Sequence, residues 1–242
     1  MRWILSRESG EILQRFLASD VLLGFDFDGT LAPIVEDPDR AGMRSETRRL
    51  LRRVAAARPC VVISGRSRAD LSERLAGTGV RRMIGNHGGE PARRAPEIRH
   101  RVASWHDTLA KRLSALPGLR VEDKGLSLTV HYRGFRPRAR ARLAIRKAAE
   151  RLPGVRLISG LEAISLVPRE APHKGTALVA EMRRLTCGRA LYVGDEGTDE
   201  DVFVLHDDSH LLTVRVGRRL HSQAQYFLRN QREIDGLLRQ LL

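Results

Sequence analysis

Two acidic residues directly follow an apolar run near the start of this 242-residue chain. Residues 21–25 are apolar, Asp26 and Asp28 come next, and Gly29 permits a sharp turn after them. Such a run is typical of a strand buried on both faces of a parallel sheet, and the carboxyl ends of these strands bind ligands. Because buried acids need compensation, we expect a divalent metal such as Mg²⁺ there. An acidic turn after a core strand is the alternative.

Four more polar residues come at the ends of predicted core elements. Ser64 follows the apolar run 60–63, Lys174 begins a helical pattern, and Asp195 follows a further apolar run, with Asp199 four residues later. The carboxyl ends of parallel strands meet at one edge of the sheet, so these side chains are expected to converge with the aspartate pair. Asp195 can complete a metal site, and Asp199 can either bind the metal or hold a group that does.

These residue types suit phosphoryl transfer, in which positioning and charge stabilisation contribute most of the catalysis. Asp26, kept ionised by a metal, can attack phosphorus in line. Asp28 can protonate the leaving oxygen and later take a proton from water. Ser64 can donate a hydrogen bond to a phosphate oxygen, and Lys174 can hold another oxygen together with its charge. These four are the predicted catalytic residues.

The order of the motifs resembles that of the haloacid dehalogenase-like (HAD) phosphatase superfamily. The matching segments are DFDGTL at 26–31, SGR at 64–66, KG at 174–175 and GDEGTD at 194–199. The resemblance implies Mg²⁺ as cofactor and an aspartyl-phosphate intermediate on Asp26. It also implies the backbone oxygen of Asp28 as a metal ligand beside Asp26, Asp195 and Asp199. A further implication is an inserted cap domain of the type called C2.

A closer resemblance is to the trehalose-6-phosphate phosphatase family. It rests on GNHG at 85–88, EDKG at 122–125, HYR at 131–133, KGTAL at 174–178 and GDEGTDEDVF at 194–203. In that family an acid and a lysine of the cap contact sugar hydroxyls, which implies this role for Glu122 and Lys124. A spacing of two places both on one face of a strand, and does the same for His131 and Arg133. A charge cluster across neighbouring strands is the alternative.

Four other residues are candidates for substrate binding. Arg66 can reach the phosphate or the cap, or face solvent at a helix N-terminus. Asn86 and His87 follow a third predicted strand at the same edge, where a hydrogen-bonded turn is the alternative. Ser165 stands where the family usually has a second sugar-binding glutamate, and serine lacks that charge and reach. We therefore expect this site to discriminate differently among sugars.

Strand and helix patterns alternate through residue 91 and resume after 171, which predicts an α/β fold with a Rossmann-like parallel sheet and helices on both faces. Residues 92–171 repeat a helix-strand-strand pattern, which predicts an inserted α+β cap domain with an antiparallel sheet. The expected organisation is therefore core at 1–91, cap at 92–171 and core at 172–242. We also predict Leu143 on the buried side of a cap helix and a final core strand at 211–216.

Composition limits the classes of partner. Lys and Arg number 43 against 29 Asp and Glu, a formal charge of +14, but the arginines are spread along predicted helices. We therefore expect a solvated basic surface that favours phosphorylated small molecules, without specific nucleic-acid binding. Because the sequence has neither a run of about 18 apolar residues nor a secretory h-region, we expect no membrane association. The two distant cysteines fit a reducing cytoplasm, and we expect a monomer.

These observations predict a Mg²⁺-dependent phosphoric monoester hydrolase acting on a small-molecule sugar phosphate, with trehalose 6-phosphate as the leading substrate. A phosphatase of another sugar phosphate or of a pseudo-disaccharide phosphate is the alternative that Ser165 favours. A binding module that kept this fold and lost turnover is an alternative from another class. The presence of every required residue type argues against it.

Overall fold

A computed structural model describes residues 1–91, 95–160, 162–207 and 209–242 of the chain. The chain divides into two compact units. Unit 1 comprises Met1–Gly88 and His173–Leu242, and unit 2 comprises Gly89–Pro172. The ends of unit 2 lie within three residues of the sequence-based boundaries 92 and 171. That unit 2 acts as a cap stays a prediction.

Strands and helices follow one another as the sequence patterns predict, with extra short strands near both ends. The strands are β1 (Arg2–Trp3), β2 (Val21–Phe25), β3 (Cys60–Ile63), β4 (Arg82–Ile84), β5 (Arg120–Asp123), β6 (Leu128–His131), β7 (Val155–Gly160), β8 (Ala163–Pro168), β9 (Arg189–Gly194), β10 (Leu211–Val216) and β11 (Tyr226–Leu228). The helices are α1 (Arg7–Phe16), α2 (Ser45–Ala57), α3 (Arg68–Arg74), α4 (Ala95–Leu113), α5 (Arg138–Ala149), α6 (Lys174–Arg184), α7 (Glu200–Phe203) and α8 (Ile234–Gln240). Within the described ranges, none of these helices combines the length and the apolarity needed to cross a bilayer.

The seven strands of unit 1 form one parallel sheet in the order β1-β11-β10-β9-β2-β3-β4. The register aligns Leu23 of β2 with Cys60 of β3 and with Leu191 of β9. The backbone N–H of Asp26 then donates to the carbonyl of Val193 at 2.9 Å, which extends the ladder past the end of β2. Residues that follow β2, β3 and β9 therefore leave the sheet at the same edge.

Alternation along β2 explains why helices cover both faces of this sheet. Leu23 and Phe25 belong to an apolar cluster with residues of α1, α2 and α8. Leu22 instead packs in a second cluster with Leu178 of α6 and Phe203 of α7. Because successive side chains of a strand point to opposite faces, an uninterrupted apolar strand is buried on both of them. The predicted α/β arrangement is confirmed.

Unit 2 contains an antiparallel sheet in the order β5-β6-β8-β7. One face is apolar: Val130 of β6 packs in a cluster with Ile145 of α5 and with residues of α4. The opposite face carries a polar row, because Glu122 pairs with Thr129 across β5 and β6, and Thr129 pairs with Ser165 across β6 and β8. Directly paired residues share a face of the sheet, so the three side chains lie side by side.

Two details of the predicted fold are wrong. Leu143 is 56% exposed, whereas Ala141 and Ile145 are buried, because residues two positions apart lie on nearly opposite sides of a helix. The sheet of unit 1 also continues beyond β10, since β11 pairs with it and β1 pairs with β11. β1 and β11 have two and three residues, too few to show alternation, and neither lies beside a recognisable motif as β4 does.

Candidate active site

Lys174 lies at the centre of a buried charge cluster in unit 1. Its Nζ atom is 3.1 Å from Oδ2 of Asp26, 3.0 Å from Oε1 of Glu196 and 2.9 Å from Oδ1 of Asp199. The side chains of Lys174 and Asp199 are fully buried, and that of Asp26 nearly so. Lys174 is the first residue of α6, where the helix dipole places partial positive charge.

Residues of β9 and β10 fix the acidic loop that follows β9. The hydroxyl of Tyr192 donates to Oδ1 of Asp199 at 2.8 Å, and the backbone N–H of Glu196 donates to Oδ2 at 2.9 Å. Arg215, a buried residue of β10, donates to the backbone carbonyls of Asp195 and Glu196. Each oxygen of Asp199 thus has a donor, and hydrogen bonds to both side chain and backbone hold the loop in place.

Asp26, Asp195 and Asp199 form a three-carboxylate cluster in which one oxygen of each lies within 4.8 Å of the others. The hydroxyl of Thr30 donates to Oδ1 of Asp195 at 3.3 Å. Gly29 has a φ of +78°, and a Cβ atom at this position would collide with the carboxylate of Asp195. Glycine therefore lets the loop after β2 approach the acid of β9. Clustered carboxylate oxygens are the donors that hard divalent cations prefer.

Burial controls the ionisation of this cluster. It raises the pKa of Asp26 well above its ordinary value and, together with neighbouring acids, raises the pKa of Asp195 to about 8. Burial favours a higher pKa for Glu196 as well, but the charges of Lys174 and His87 outweigh this effect and lower the pKa to about 2. One lysine does not balance several acids in this space. The donor set, and the cost of ionising all of its acids together, therefore fit a divalent cation.

In the metal-free protein, we expect the free energy of unfolding to fall as the pH rises from about 5 to about 8. The pKa of Asp195 is about 8 when folded and ordinarily 3.8, so in this window the folded state holds a proton that the unfolded state lacks. Each carboxyl of this kind lowers the free energy of unfolding by up to about 1.4 kcal/mol per pH unit. Urea unfolding in chelator across this range measures the slope. A flat profile would contradict the prediction, and added Mg²⁺ should stabilise more at pH 8 than at pH 5.5.

The carboxylate of Asp28 is not a member of the three-carboxylate cluster. Arg66 holds it instead, with Nε 2.6 Å and Nη2 2.7 Å from its two oxygens. A bidentate pair of this kind fixes the plane of the carboxylate as well as its position. The structure therefore brings Asp28 and Arg66 together. The metal ligand that the resemblance implies at Asp28 is its backbone oxygen, and that role stays a prediction.

The loops after β3 and β4 bring three more candidates to this edge of the sheet. The hydroxyl of Ser64 accepts a hydrogen bond from the backbone N–H of Arg66 at 3.3 Å. The backbone N–H groups of Asn86 and His87 donate to the carbonyls of Arg66 and Ser64 at 2.8 Å and 2.9 Å. Asn86 and His87 have φ values of +49° and +57°, a strained backbone for residues other than glycine. Nδ1 of His87 lies 3.9 Å from Oε1 of Glu196, which connects this loop to the charge cluster.

Unit 2 carries further candidates on the polar face of its sheet. Oε2 of Glu122 lies 2.7 Å from Nε2 of His131 and 3.9 Å from Nζ of Lys124. Burial raises the pKa of Glu122, but the hydrogen bond with His131 and the charge of Lys124 outweigh it, so the pKa lies below its ordinary value. In the same row, Oγ of Ser165 lies 3.0 Å from Oγ1 of Thr129. Glu122, His131 and Ser165 therefore belong to one face, and Lys124, which follows the end of β5, is connected to it by its contact with Glu122.

Arg133 is the fifth of these candidates, and it lies two residues after the end of β6. Its Nε atom is 2.9 Å from Oε2 of Glu162, and Arg138 binds the other oxygen of that carboxylate. Because Arg133 follows the end of the strand, alternation along β6 does not define its face. Its place in substrate binding stays a prediction.

Sequence reasoning did not assign Thr30, Tyr192, Glu196 or Arg215 to this site. Thr30 and Glu196 lie inside the quoted motifs, two residues after Asp28 and directly after Asp195, so their motifs alone could have suggested them. Arg215 is a charged residue within the buried strand LLTVRV, a signal that a buried partner exists. The polar end of Tyr192 in the apolar strand RALYVG is a weaker signal of the same kind.

Comparison with solved structures defines the class of this fold. A haloacid dehalogenase-like hydrolase from Bacteroides thetaiotaomicron aligns with a TM-score of 0.65 at 14% identity, over 92% of this chain and 99% of that one. The C-terminal domain of C. albicans trehalose-6-phosphate phosphatase aligns with a TM-score of 0.79 at 22% identity, over 100% and 98%. The fold is therefore of the HAD type, as the motifs predict.

Comparison of sequences identifies the family within this class. Residues 24–231 match the family model described as trehalose-phosphatase. The trehalose-phosphate phosphatase of Mycolicibacterium paratuberculosis is 37% identical over 196 residues, which are 74% of this chain and 49% of that protein. The chain belongs to the trehalose-phosphatase family, and it spans about half the length of the mycobacterial relatives it matches. HAD phosphatases use a divalent metal, for which the three-carboxylate cluster supplies donors.

Proposed function

We propose that this protein is a Mg²⁺-dependent phosphatase that hydrolyses trehalose 6-phosphate to trehalose and phosphate. The observation that carries the proposal is the buried Asp26 beside Lys174 and two further acids, at the edge where parallel sheets bind ligands. Family membership supports the reaction class. The activity for which its relatives are named supports trehalose phosphate as the substrate.

Asp26 is the proposed nucleophile of the first step. One of its oxygens bonds to phosphorus while the bond between phosphorus and the sugar oxygen breaks, and the phosphoryl group is left on Asp26. Asp28, in its protonated form, donates its proton to the departing sugar oxygen and becomes a carboxylate. Lys174, whose Nζ is 3.1 Å from Asp26, and the hydroxyl of Ser64 hold the non-bridging phosphate oxygens.

Asp28 acts again in the second step, as the base. It takes a proton from a water molecule whose oxygen bonds to phosphorus, and the bond between phosphorus and Asp26 breaks. Phosphate leaves, Asp26 is again a carboxylate, and Asp28 is again protonated. The two aspartates therefore return to their starting states after each turnover.

Asp26, Asp195 and Asp199, together with the backbone oxygen of Asp28, are the proposed ligands of Mg²⁺. When bound, the ion neutralises charge on the phosphoryl group and on the acids around it. The excess of buried carboxylates over nearby cations supports this assignment. Mg²⁺ suits a set of oxygen donors from aspartates and backbone.

Sugar binding is assigned to the polar face of unit 2. The ionised carboxylate of Glu122 can accept hydrogen bonds from sugar hydroxyls, and Lys124 and His131 can donate to them. Ser165 offers a hydroxyl in the same row. The full set of proposed substrate-binding residues is Arg66, Asn86, His87, Glu122, Lys124, His131, Arg133 and Ser165.

Another sugar phosphate, or a pseudo-disaccharide phosphate, is the second candidate substrate. Ser165 favours it, because its hydroxyl already bonds to Thr129 at 3.0 Å and it brings no charge to the face. A site that lacks a charged acceptor selects less strongly for the sugar hydroxyl which that acceptor would bind.

Phosphate release over a small substrate panel tests the proposed function. The panel contains trehalose 6-phosphate, sucrose 6-phosphate, glucose 6-phosphate, an aminocyclitol pseudo-disaccharide phosphate and 4-nitrophenyl phosphate, each with Mg²⁺ and with chelator. Preference for trehalose 6-phosphate that disappears in chelator supports the proposal. Cleavage of the aryl phosphate with little release from trehalose 6-phosphate favours the second candidate. No release from any substrate would contradict the phosphatase assignment.

Glu122→Ala is expected to lower kcat/KM for trehalose 6-phosphate by about 10–100-fold, since it removes a charged acceptor of sugar hydroxyls. The loss for 4-nitrophenyl phosphate should be less than about threefold, because that substrate has no sugar to bind. Asp123→Ala is the matched control, as Asp123 lies next to Glu122 in β5 but on the other face. Steady-state kinetics of both variants with both substrates measure this. Equal losses for the two substrates would assign Glu122 a structural role.

We further propose that the protein acts in the cytoplasm as a monomer, without specific nucleic-acid or membrane partners. Cys60 and Cys187 are both free and buried, which supports a reducing compartment. Light scattering during size-exclusion chromatography tests the monomer, and a dimeric mass would contradict it.

A further inference from the structure

A chain of alternating charges runs from Asp28 into helix α3. Arg66 holds both oxygens of Asp28, and its Nη1 atom lies 2.8 Å from Oδ2 of Asp70. The other oxygen of Asp70 accepts a hydrogen bond from Nε of Arg74 at 2.8 Å. The four side chains therefore form one hydrogen-bonded series that begins at a residue assigned to proton transfer.

The guanidinium of Arg66 is fixed by contacts on several sides. Its side chain is 12% exposed, and Nη2 also donates to the carbonyl of Pro38 at 2.8 Å. Of its partners, Asp70 is the one that is charged and lies away from Asp28. Because arginine is planar with donors in a rigid fork, fixing one edge of the guanidinium also fixes the edge that faces Asp28.

Asp70 is itself held firmly. It lies in the first turn of α3, where the hydroxyl of Ser67 caps the helix by accepting from the N–H of Asp70 at 3.2 Å. Arg74, one turn later, donates to the carbonyls of Asp39 and Ala41 as well as to Asp70. Burial raises the pKa of Asp70, but its bonds with Arg74 and Arg66 outweigh it, so the group stays ionised at neutral pH.

We propose that Asp70 is a positioning residue for proton transfer: it fixes the guanidinium of Arg66, which in turn orients the carboxyl group of Asp28. This inference rests on the proposed function, because it concerns the proton that Asp28 gives to the leaving sugar oxygen. Asp70 touches neither the phosphate nor the leaving group. Its effect must therefore depend on how much the leaving group needs a proton.

The leaving group provides the readout that separates positioning from folding. A sugar alkoxide is strongly basic and needs protonation as it departs, whereas 4-nitrophenolate is weakly basic and departs without it. Asp70→Asn keeps the shape of the side chain and removes its charge. Since general acid catalysis contributes about 10²–10⁴-fold, we expect this variant to lose about 10–100-fold in kcat/KM for trehalose 6-phosphate. For 4-nitrophenyl phosphate the loss should be less than about threefold.

Glu46→Gln is the matched control, because Glu46 also bridges two arginines, Arg49 and Arg239, at 2.8–2.9 Å and has no connection to Asp28. We expect Glu46→Gln to leave kcat/KM unchanged for both substrates. Equal losses with both substrates, or no loss, in folded Asp70→Asn would overturn the inference. If Asp70→Asn does not fold, Arg74→Gln replaces it. We expect Arg74→Gln to lower kcat/KM less strongly, and only for the sugar phosphate. Equal losses with both substrates, or no loss, would again overturn the inference.

Failure of the inference is distinguishable from failure of the proposed function. The wild-type protein tests the function, and the ratio of losses between the two leaving groups tests Asp70. If the wild type cleaves a different sugar phosphate of the panel, that substrate takes the place of trehalose 6-phosphate, because its leaving alkoxide also needs a proton. A selective loss then supports the role of Asp70 although the proposed sugar is wrong.

Discussion

Asp26→Asn is expected to lower kcat for trehalose 6-phosphate by at least about 10⁴-fold, because a neutral amide is a poor nucleophile and no phosphoryl group can be transferred to residue 26. The same loss is expected with 4-nitrophenyl phosphate, since both substrates need the same nucleophile. Phosphate release measures turnover. Mass spectrometry of acid-quenched reactions should detect phosphorylated protein in the wild type and none in the variant.

This variant is expected to remain folded. Asp26 is 2% exposed and burial raises its pKa, so a neutral side chain of the same shape avoids the cost of a buried charge. Lys174 keeps Glu196 and Asp199 as partners. We expect the Tm to change by less than about 5 °C.

Asp20→Asn is the matched control, because Asp20 is exposed just before the other end of the same strand. It should keep wild-type turnover and stability. Substantial turnover by folded Asp26→Asn, without contamination by wild-type protein, would show that another residue is the nucleophile.

The positions of the acids could be predicted because they depend on the backbone. An apolar strand such as Val21–Phe25 must be buried on both faces, and parallel strands bring their carboxyl ends to one edge. Asp26, Ser64 and Asp195 therefore lie at the same edge of the sheet, whatever their side-chain conformations. The same reasoning located the polar row of unit 2, since alternation along β5 and β6 separates Glu122 from the apolar face.

Side-chain partners could not be predicted in the same way. Asp26 and Asp28 are two residues apart, yet one contacts Lys174 and the other is held by Arg66, a division that depends on loop geometry after β2. Asp70 shows the same limit, because its spacing of four from Arg66 and Arg74 would also suit ordinary ion pairs on a helix surface. The prediction that Leu143 is buried was wrong for a different reason. Apolar residues of α5 occur on both sides of the helix, so their pattern does not identify the buried side.

Lys174→Met is expected to destabilise the metal-free protein by about 3–5 kcal/mol, because it removes the cation that contacts the buried Asp26 and Asp199 and the half-buried Glu196, and leaves their charges uncompensated. The acids raise the pKa of Lys174 well above its ordinary value despite its burial. Its stabilising charge is therefore fully present at pH 7 and would be lost only as the pH rises through that raised pKa. Urea unfolding at pH 7 in chelator measures this loss.

Mg²⁺ should recover part of the stability lost in Lys174→Met, because a divalent cation among the same carboxylates replaces the missing charge. The difference in stability between Mg²⁺ and chelator is therefore expected to be larger in the variant than in the wild type. Turnover should still fall by about 10³-fold with Mg²⁺ present, since the cation that holds a phosphate oxygen in the proposed mechanism is absent.

Arg183→Met is the matched control for Lys174→Met, because it removes an exposed cation from the same helix. It should alter neither stability nor turnover appreciably. A Lys174→Met protein as stable as the wild type in chelator would mean that protonation of the acids alone is enough to compensate their burial. A stable variant that also kept its turnover would remove Lys174 from the mechanism and leave the metal as the main cation at the phosphate.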